Sequence, residues 1–203
     1  MRRNVLTLVV FSWALRVAVA ILLAATPASA IDCTRRVAPG GSDDASGSPS
    51  APWATLQHAV DSANAGDVVC VDAGTYSEDE VSITASGTAP APITLTADGQ
   101  AVTVRASIGL RQGASHWRID GFAVLGPGVW GVWLEGDNED VELTNLDIAD
   151  WEAAIRLTVG DSGDDPWYGP VGDVLVEDCV LHDAVYSTLD CTPGPCDDLV
   201  IRR

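Results

Sequence analysis

The sequence predicts an all-β solenoid with a short helix near its amino end, and three observations predict it. Segments that begin at Val69, Ile93, Trp117, Val141, Val174 and Leu199 share a β-branched, alternating pattern, and their starts lie 24, 24, 24, 33 and 25 residues apart. Gly, Asp and Asn turns separate them, as in chains whose units bury apolar faces only against their neighbours. A second row recurs at 24, 23 and 32 residues: Ser107–Arg111, Gly131–Glu135, Ala154–Thr158 and Tyr186–Asp190.

Ahead of these rows lie an export signal and a capping segment. Met1–Ala30 carries Arg2 and Arg3, an apolar run from Val5 to Ala25 and the small-residue site Thr26–Ala30, the pattern of a cleaved secretory leader. The mature chain is expected from Ile31, secreted or at the cell surface, with no membrane span after cleavage. Pro39–Pro52 is a turn-rich entry. From Trp53 to Asn64, Leu56, Ala59, Val60 and Ala63 fall on one face at helical spacing, Pro52 suits a first turn, and Gly66 follows the end. Such a helix is a natural cover for the open sheet edge of a first rung.

Charge narrows the partners. The leader holds three of the eleven arginines and none of the 29 acids, so the remainder carries eight cations against 29 anions, a formal −21. That field argues against nucleic acid as a partner, and it repels anionic polymers except where arginines or a bridging cation offset it. The chain has no lysine. Five cysteines in an exported chain predict disulfides, with Cys191 and Cys196 flanking a tight loop, Cys33 joined to Cys70, and Cys179 left over as a buried thiol.

The residues Gly41-Ser42-Asp43, Gly47-Ser48, Pro52–Leu56, Ala59-Val60, Ala65–Val69 and Ala73–Glu78 resemble the opening of secreted right-handed parallel β-helix proteins of the pectate-lyase-like group. The resemblance implies a three-faced coil with three short strands per rung. The same opening precedes lyases, epimerases, hydrolases and surface proteins without known activity, so it speaks to fold rather than to chemistry. Gly121, Asn145 and Asp178 occupy one turn position in successive rungs and read as a structural ladder.

Alternation along the second row sends apolar residues inward and places Arg111, Trp133, Glu135, Arg156, Thr158, Thr188 and Asp190 on the outer face. Trp130, Trp151 and Tyr186 precede its strands as a candidate aromatic row. The 33-residue spacing inserts a loop that carries Asp161, Asp164, Asp165, Trp167 and Tyr168. Trp133, Trp167 and Tyr168 are candidate carbohydrate-binding residues, since indole and phenol rings pack on the apolar faces of sugars. Asp161, Asp164 and Asp165 are candidate Ca²⁺ ligands, with a solvated acidic turn as the alternative.

Polysaccharide lyases of similar fold take the proton beside a uronate carboxyl with lysine or arginine, so the resemblance makes Arg156 the candidate base. An ion pair with Glu135 or Asp190 is its plainer role. A hydrolase would use two carboxylates, Glu135 with Asp190 or Asp161 with Asp190. His182-Asp183 has acid–base composition but no nucleophile spaced to meet it. The expected function is a monomeric, secreted β-helix that binds or modifies a polysaccharide, as a Ca²⁺-dependent lyase or a hydrolase. The alternative is a non-catalytic surface or adhesion module. About five rungs are expected, ending in the first strand of another, as in the amino-terminal part of a longer protein.

Overall fold

The computed structural model describes residues 31–159, 171–193 and 199–202. β1 (Arg35–Val37) and α1 (Leu56–Ser62) precede the coil, and five rungs of three strands follow. The first is β2 (Val68–Val71), β3 (Gly74–Tyr76) and β4 (Glu80–Ile83), and the second is β5 (Ile93–Thr96), β6 (Val102–Val104) and β7 (Ser107–Leu110). The third is β8 (Trp117–Asp120), β9 (Phe122–Leu125) and β10 (Trp130–Glu135). The fourth is β11 (Glu139–Thr144), β12 (Asp147–Ala149) and β13 (Ala153–Val159). The fifth is β14 (Gly172–Glu177), β15 (Val180–His182) and β16 (Ser187–Pro193), and β17 (Leu199–Arg202) begins the next turn.

Stacking the rungs makes three parallel sheets. The first runs β1-β2-β5-β8-β11-β14-β17, the second β4-β7-β10-β13-β16 and the third β3-β6-β9-β12-β15. Inward side chains therefore meet their own kind in columns about 4.8 Å apart. In the second sheet Val81, Ile108, Val132 and Ile155 form one such column, and Ile83, Leu110, Leu134 and Leu157 the next, all fully buried. Each such side chain contributes roughly 1.5–3 kcal/mol by leaving water.

The turn ladder is structural, as its spacing predicts. Gly121, Asn145 and Asp178 all hold positive φ, at 85°, 52° and 53°, the left-handed bend that Gly, Asn and Asp tolerate best. Asn145 Nδ2 donates to Asp120 Oδ1 at 2.7 Å, and the Thr96 and Thr144 hydroxyls donate to the same carboxylate. Three neighbouring rungs thus share one acceptor.

The opening residues build a cap. The helix begins only at Leu56, so Pro52 precedes its first turn; Thr55 is the N-cap, and its hydroxyl accepts from His58 N–H at 3.2 Å. Trp53 lies before the helix and pairs with Val37 instead. Asp43 accepts from the N–H groups of Ala54 and Thr55, and Glu78 from those of Leu56 and Gln57. Burial works against the Asp43 charge, but the Ala54 and Thr55 bonds outweigh it and hold the carboxyl below its ordinary value. Gly47 has φ 69° and lies under the Trp53 ring, where a Cβ would come within 2.2 Å of it. The helix covers only one open edge, packing on β4, while β1 covers β2.

Two register expectations need correction. Val69 lies opposite Leu95, two residues beyond Ile93, and Leu189 rather than Ser187 lies opposite Ile155. Alternation has period two, so a shift of two keeps every side chain on its face and leaves the pattern unable to choose between them. Asp190 consequently stands beside Arg156, with Cys191 inward beside Leu157. Cys33–Cys70 is a disulfide, as predicted. Cys191 is disulfide-bonded, and its predicted partner Cys196 lies outside the described residues. Cys179 is the free thiol among the described residues, pushed up in pKa by burial.

Candidate functional site: the outer face of the second sheet

Across the outer face of the second sheet runs an ordered string of charges and rings. Trp133 lies flat over Gly109, where an added Cβ would sit 2.7 Å from the indole. The Arg111 guanidinium stacks on Trp133 at 4.5 Å and pairs with Glu80, its Nη2 donating to Oε2 at 3.1 Å. Arg156 stacks on Trp130 at 5.0 Å, and its Nη1 bonds Asp190 at 2.8 Å. The two indoles are 5.1 Å apart and tilted by 47°. From the first rung to the fifth the order is acid, arginine, indole, indole, arginine, acid. Each stacked cation adds roughly 0.5–2 kcal/mol, depending on how dry it is.

Beside this string lies a groove of about 490 Å³. Its origin is a difference in turn length. Two residues, Arg105 and Ala106, join β6 to β7, whereas three (Ser77–Asp79) make that turn in the rung before and four (Gly126–Val129) in the rung after. The short turn leaves a notch between two longer ones. Asp79 and Glu80 form one side, Gly126–Trp130 the other, and Arg105, Ala106, Ser107 and Arg111 line it between them. Trp151 supports the overhanging turn from below: its Nε1 donates to Val124 O at 3.1 Å, and a Cβ on Gly128 would meet its ring at 2.3 Å.

The structure brings some predicted site residues together and covers others. Arg156 and Asp190 form the ion pair already described. Trp133 and Glu135 occupy outward positions, yet they are only 7% and 8% exposed, so facing out of the sheet does not make them accessible. Trp133 is roofed by Arg111. Glu135 is aligned with Thr158, and Asp190 lies one rung further on and two residues earlier in register. Strand geometry puts their Cα atoms about 12 Å apart. Trp167, Tyr168, Asp161, Asp164 and Asp165 lie outside the described residues.

The aromatic row does not form. Trp130 is aligned with Ala153 and Ser187, so Trp151 and Tyr186 fall out of step with it: Trp151 is buried and Tyr186 is 80% exposed. His182 uses both ring nitrogens, Nδ1 to Asp183 at 2.7 Å and Nε2 to Asp147 at 2.9 Å, which leaves neither for substrate. The one group among the described residues with metal-ligand spacing is Cys33, Cys70 and Asp98, whose sulfurs are bonded to each other. Sequence reasoning missed Arg105 and the groove, because the short turn follows the third row of strands, while the two rows read from the sequence keep one offset in both rungs (Ile93 to Ser107, Trp117 to Gly131).

A right-handed parallel coil with a charged, indole-bearing outer face defines the class. A family model described as the Pel9A-like right-handed beta-helix region matches residues 36–183, and the chain belongs to that family. The chain is 46% identical over 70 residues to pectate lyase PEL9 of Emericella nidulans, a segment covering 34% of this chain and 17% of that protein. A solved rhamnogalacturonan lyase matches with a TM-score of 0.59 at 20% identity, covering 77% of this chain and 43% of its own. Pectate lyase Pel9A matches with a TM-score of 0.55 at 16% identity, covering 74% and 40%. At these identities the two structures show the fold alone. The chain spans less than half the length of each of these proteins.

Proposed function

We propose that this chain is a secreted polysaccharide-binding β-helix belonging to a lyase that acts on uronate polymers. The observation that carries the reading is the string of two stacked arginines and two indoles beside a groove on one sheet face. Indoles offer apolar planes to pyranose rings, and guanidinium groups offer paired donors to hydroxyls and carboxylates. The lyase assignment is supported by family membership and by the named activities of the relatives.

Arg156 is the chain's candidate for the reacting part of such a substrate. Asp190 holds it from one side and Trp130 from the other. That arrangement fixes the direction of a positive charge, which lowers the cost of building negative charge on a nearby uronate carboxylate. Trp167 and Tyr168 are proposed as further sugar contacts, and Asp161, Asp164 and Asp165 as the Ca²⁺ ligands.

The test is an elimination assay of the full chain on uronate polysaccharides, with Ca²⁺ or chelator, following the ultraviolet absorbance of the unsaturated product. A rise that Arg156→Ala abolishes supports the lyase. Binding without any rise would support the second reading, a non-catalytic surface module. The existing Arg156–Asp190 pair favours that reading, since a guanidinium so engaged is not a free base.

A further inference from the structure

We propose that Arg105 is the specificity-determining residue of the groove and that it reads the carboxylate of an acidic sugar whose ring rests against Trp130. This rests on the polysaccharide reading above and deepens it by assigning the charge recognition to one side chain outside the string.

Charge pairing carries the argument. Two arginines line the groove, and Arg111 is already neutralised by Glu80 at 2.9 Å. Arg105 is exposed and forms no ion pair among the described residues. It is therefore the groove's uncompensated cation, in a chain of formal net charge −18. An arginine left unpaired among so many acids is available to a ligand's anion. Asp79, on the same wall as Glu80, repels that anion and so directs it toward Arg105.

The fold makes the position rigid. Arg105 N–H donates to Tyr76 O at 2.7 Å, which anchors the short turn to the rung before, while Ala106 is buried beneath it. The four-residue turn Gly126–Val129 stands above as the opposite wall and ends at Trp130, the more exposed of the two paired indoles. Cation and ring thus line one groove from consecutive rungs, one offering a charge to a uronate carboxylate and the other a plane to its ring.

The experiment is calorimetric titration of the full chain with an oligogalacturonate and with its neutral methyl ester, for wild type, Arg105→Gln, Arg105→Lys and Trp130→Ala. Wild type should prefer the acid. Arg105→Gln should weaken acid binding about tenfold, the scale of one charge-assisted hydrogen bond, and bring acid and ester to parity. Arg105→Lys should retain part of the preference, and Trp130→Ala should weaken both ligands alike. Circular dichroism of each variant separates lost recognition from lost fold. Acid preference unchanged in Arg105→Gln, with both ligands weakened in Trp130→Ala, overturns the role of Arg105 and leaves the polysaccharide reading standing. A wild-type chain that binds neither ligand overturns both.

Discussion

Gln57 is hydrogen-bonded to the backbone of Ser82 in both directions: its side-chain amide donates to Ser82 O at 3.0 Å, and its side-chain carbonyl accepts from Ser82 N–H at 2.7 Å. A single side chain thus takes the place of a neighbouring strand at the open edge of β4. Without such a cover, that edge would offer its unpaired groups to another chain.

Gln57→Ala should destabilise the protein by about 1–3 kcal/mol, because both Ser82 groups lose partners in a part-buried place. Chemical denaturation measures the loss. Light scattering should show concentration-dependent association absent from wild type, and a variant that stays monomeric with unchanged stability would show that the edge is covered by other means.

Cys33 and Cys70 close a loop of sequence separation 37. On the chain-entropy scale this link stabilises by about 4 kcal/mol, so Cys33→Ser with Cys70→Ser should lower the unfolding free energy by that order. Arg36 and Asp72, paired across the same two strands, remain to hold β1 on β2. Amide exchange should accordingly rise first in β1, ahead of the inner rungs.

Acid should weaken the cap and the coil alike. A carboxyl held below its ordinary value when folded takes up its proton less readily there than in the unfolded chain. It therefore stabilises the fold above a pH of about 4, and the contribution is lost as the pH falls through the folded value. Asp43 is such a group, and so is Asp140, where burial is outweighed by His116 and Arg118. Melting temperature should fall as the pH drops below about 4, and Asp43→Asn should flatten part of that slope.

His182 has the opposite sign. Asp183 first and Asp147 second raise its pKa above 6.5, so its pairing is complete below that value and is lost as the pH climbs through the raised one. A proton-resonance titration of the imidazole should give a midpoint above 6.5 that drops in Asp183→Asn.

Gly109→Ala probes the string directly. The added methyl enters the space held by the Trp133 ring, so the indole must lift from the sheet and loosen its stack with Arg111. Tryptophan emission should shift to the red and affinity for an acidic oligosaccharide should fall several-fold, at a stability cost of about 1–3 kcal/mol.

Faces were legible in the sequence throughout, and registers in all but two places. Alternation correctly sent Ile108, Leu134 and Ile155 inward, yet Val69 and Asp190 each stand two residues from their expected partners. Burial depends on side-chain parity, which a shift of two preserves. The Arg156–Asp190 pair was expected, though not its register, whereas the arginine–indole stacks escaped: Arg111 roofs Trp133 from one rung away, a reach that strand patterns do not encode. The opening motif was legible as a family trait, but its physical content is capping: Asp43 and Glu78 hold helix amides and touch no candidate ligand surface.

The groove exists because one turn is shorter than its neighbours, and sheets of this kind tolerate changes in turn length without altering their ladders. Depth at this surface is therefore a matter of counting residues. Two residues inserted between Arg105 and Ala106 would fill the notch and leave every strand pairing in place, while two removed from Gly126–Val129 would lower its far wall. A coil built this way can gain, lose or relocate a binding cleft by insertions and deletions alone, with its core chemistry untouched.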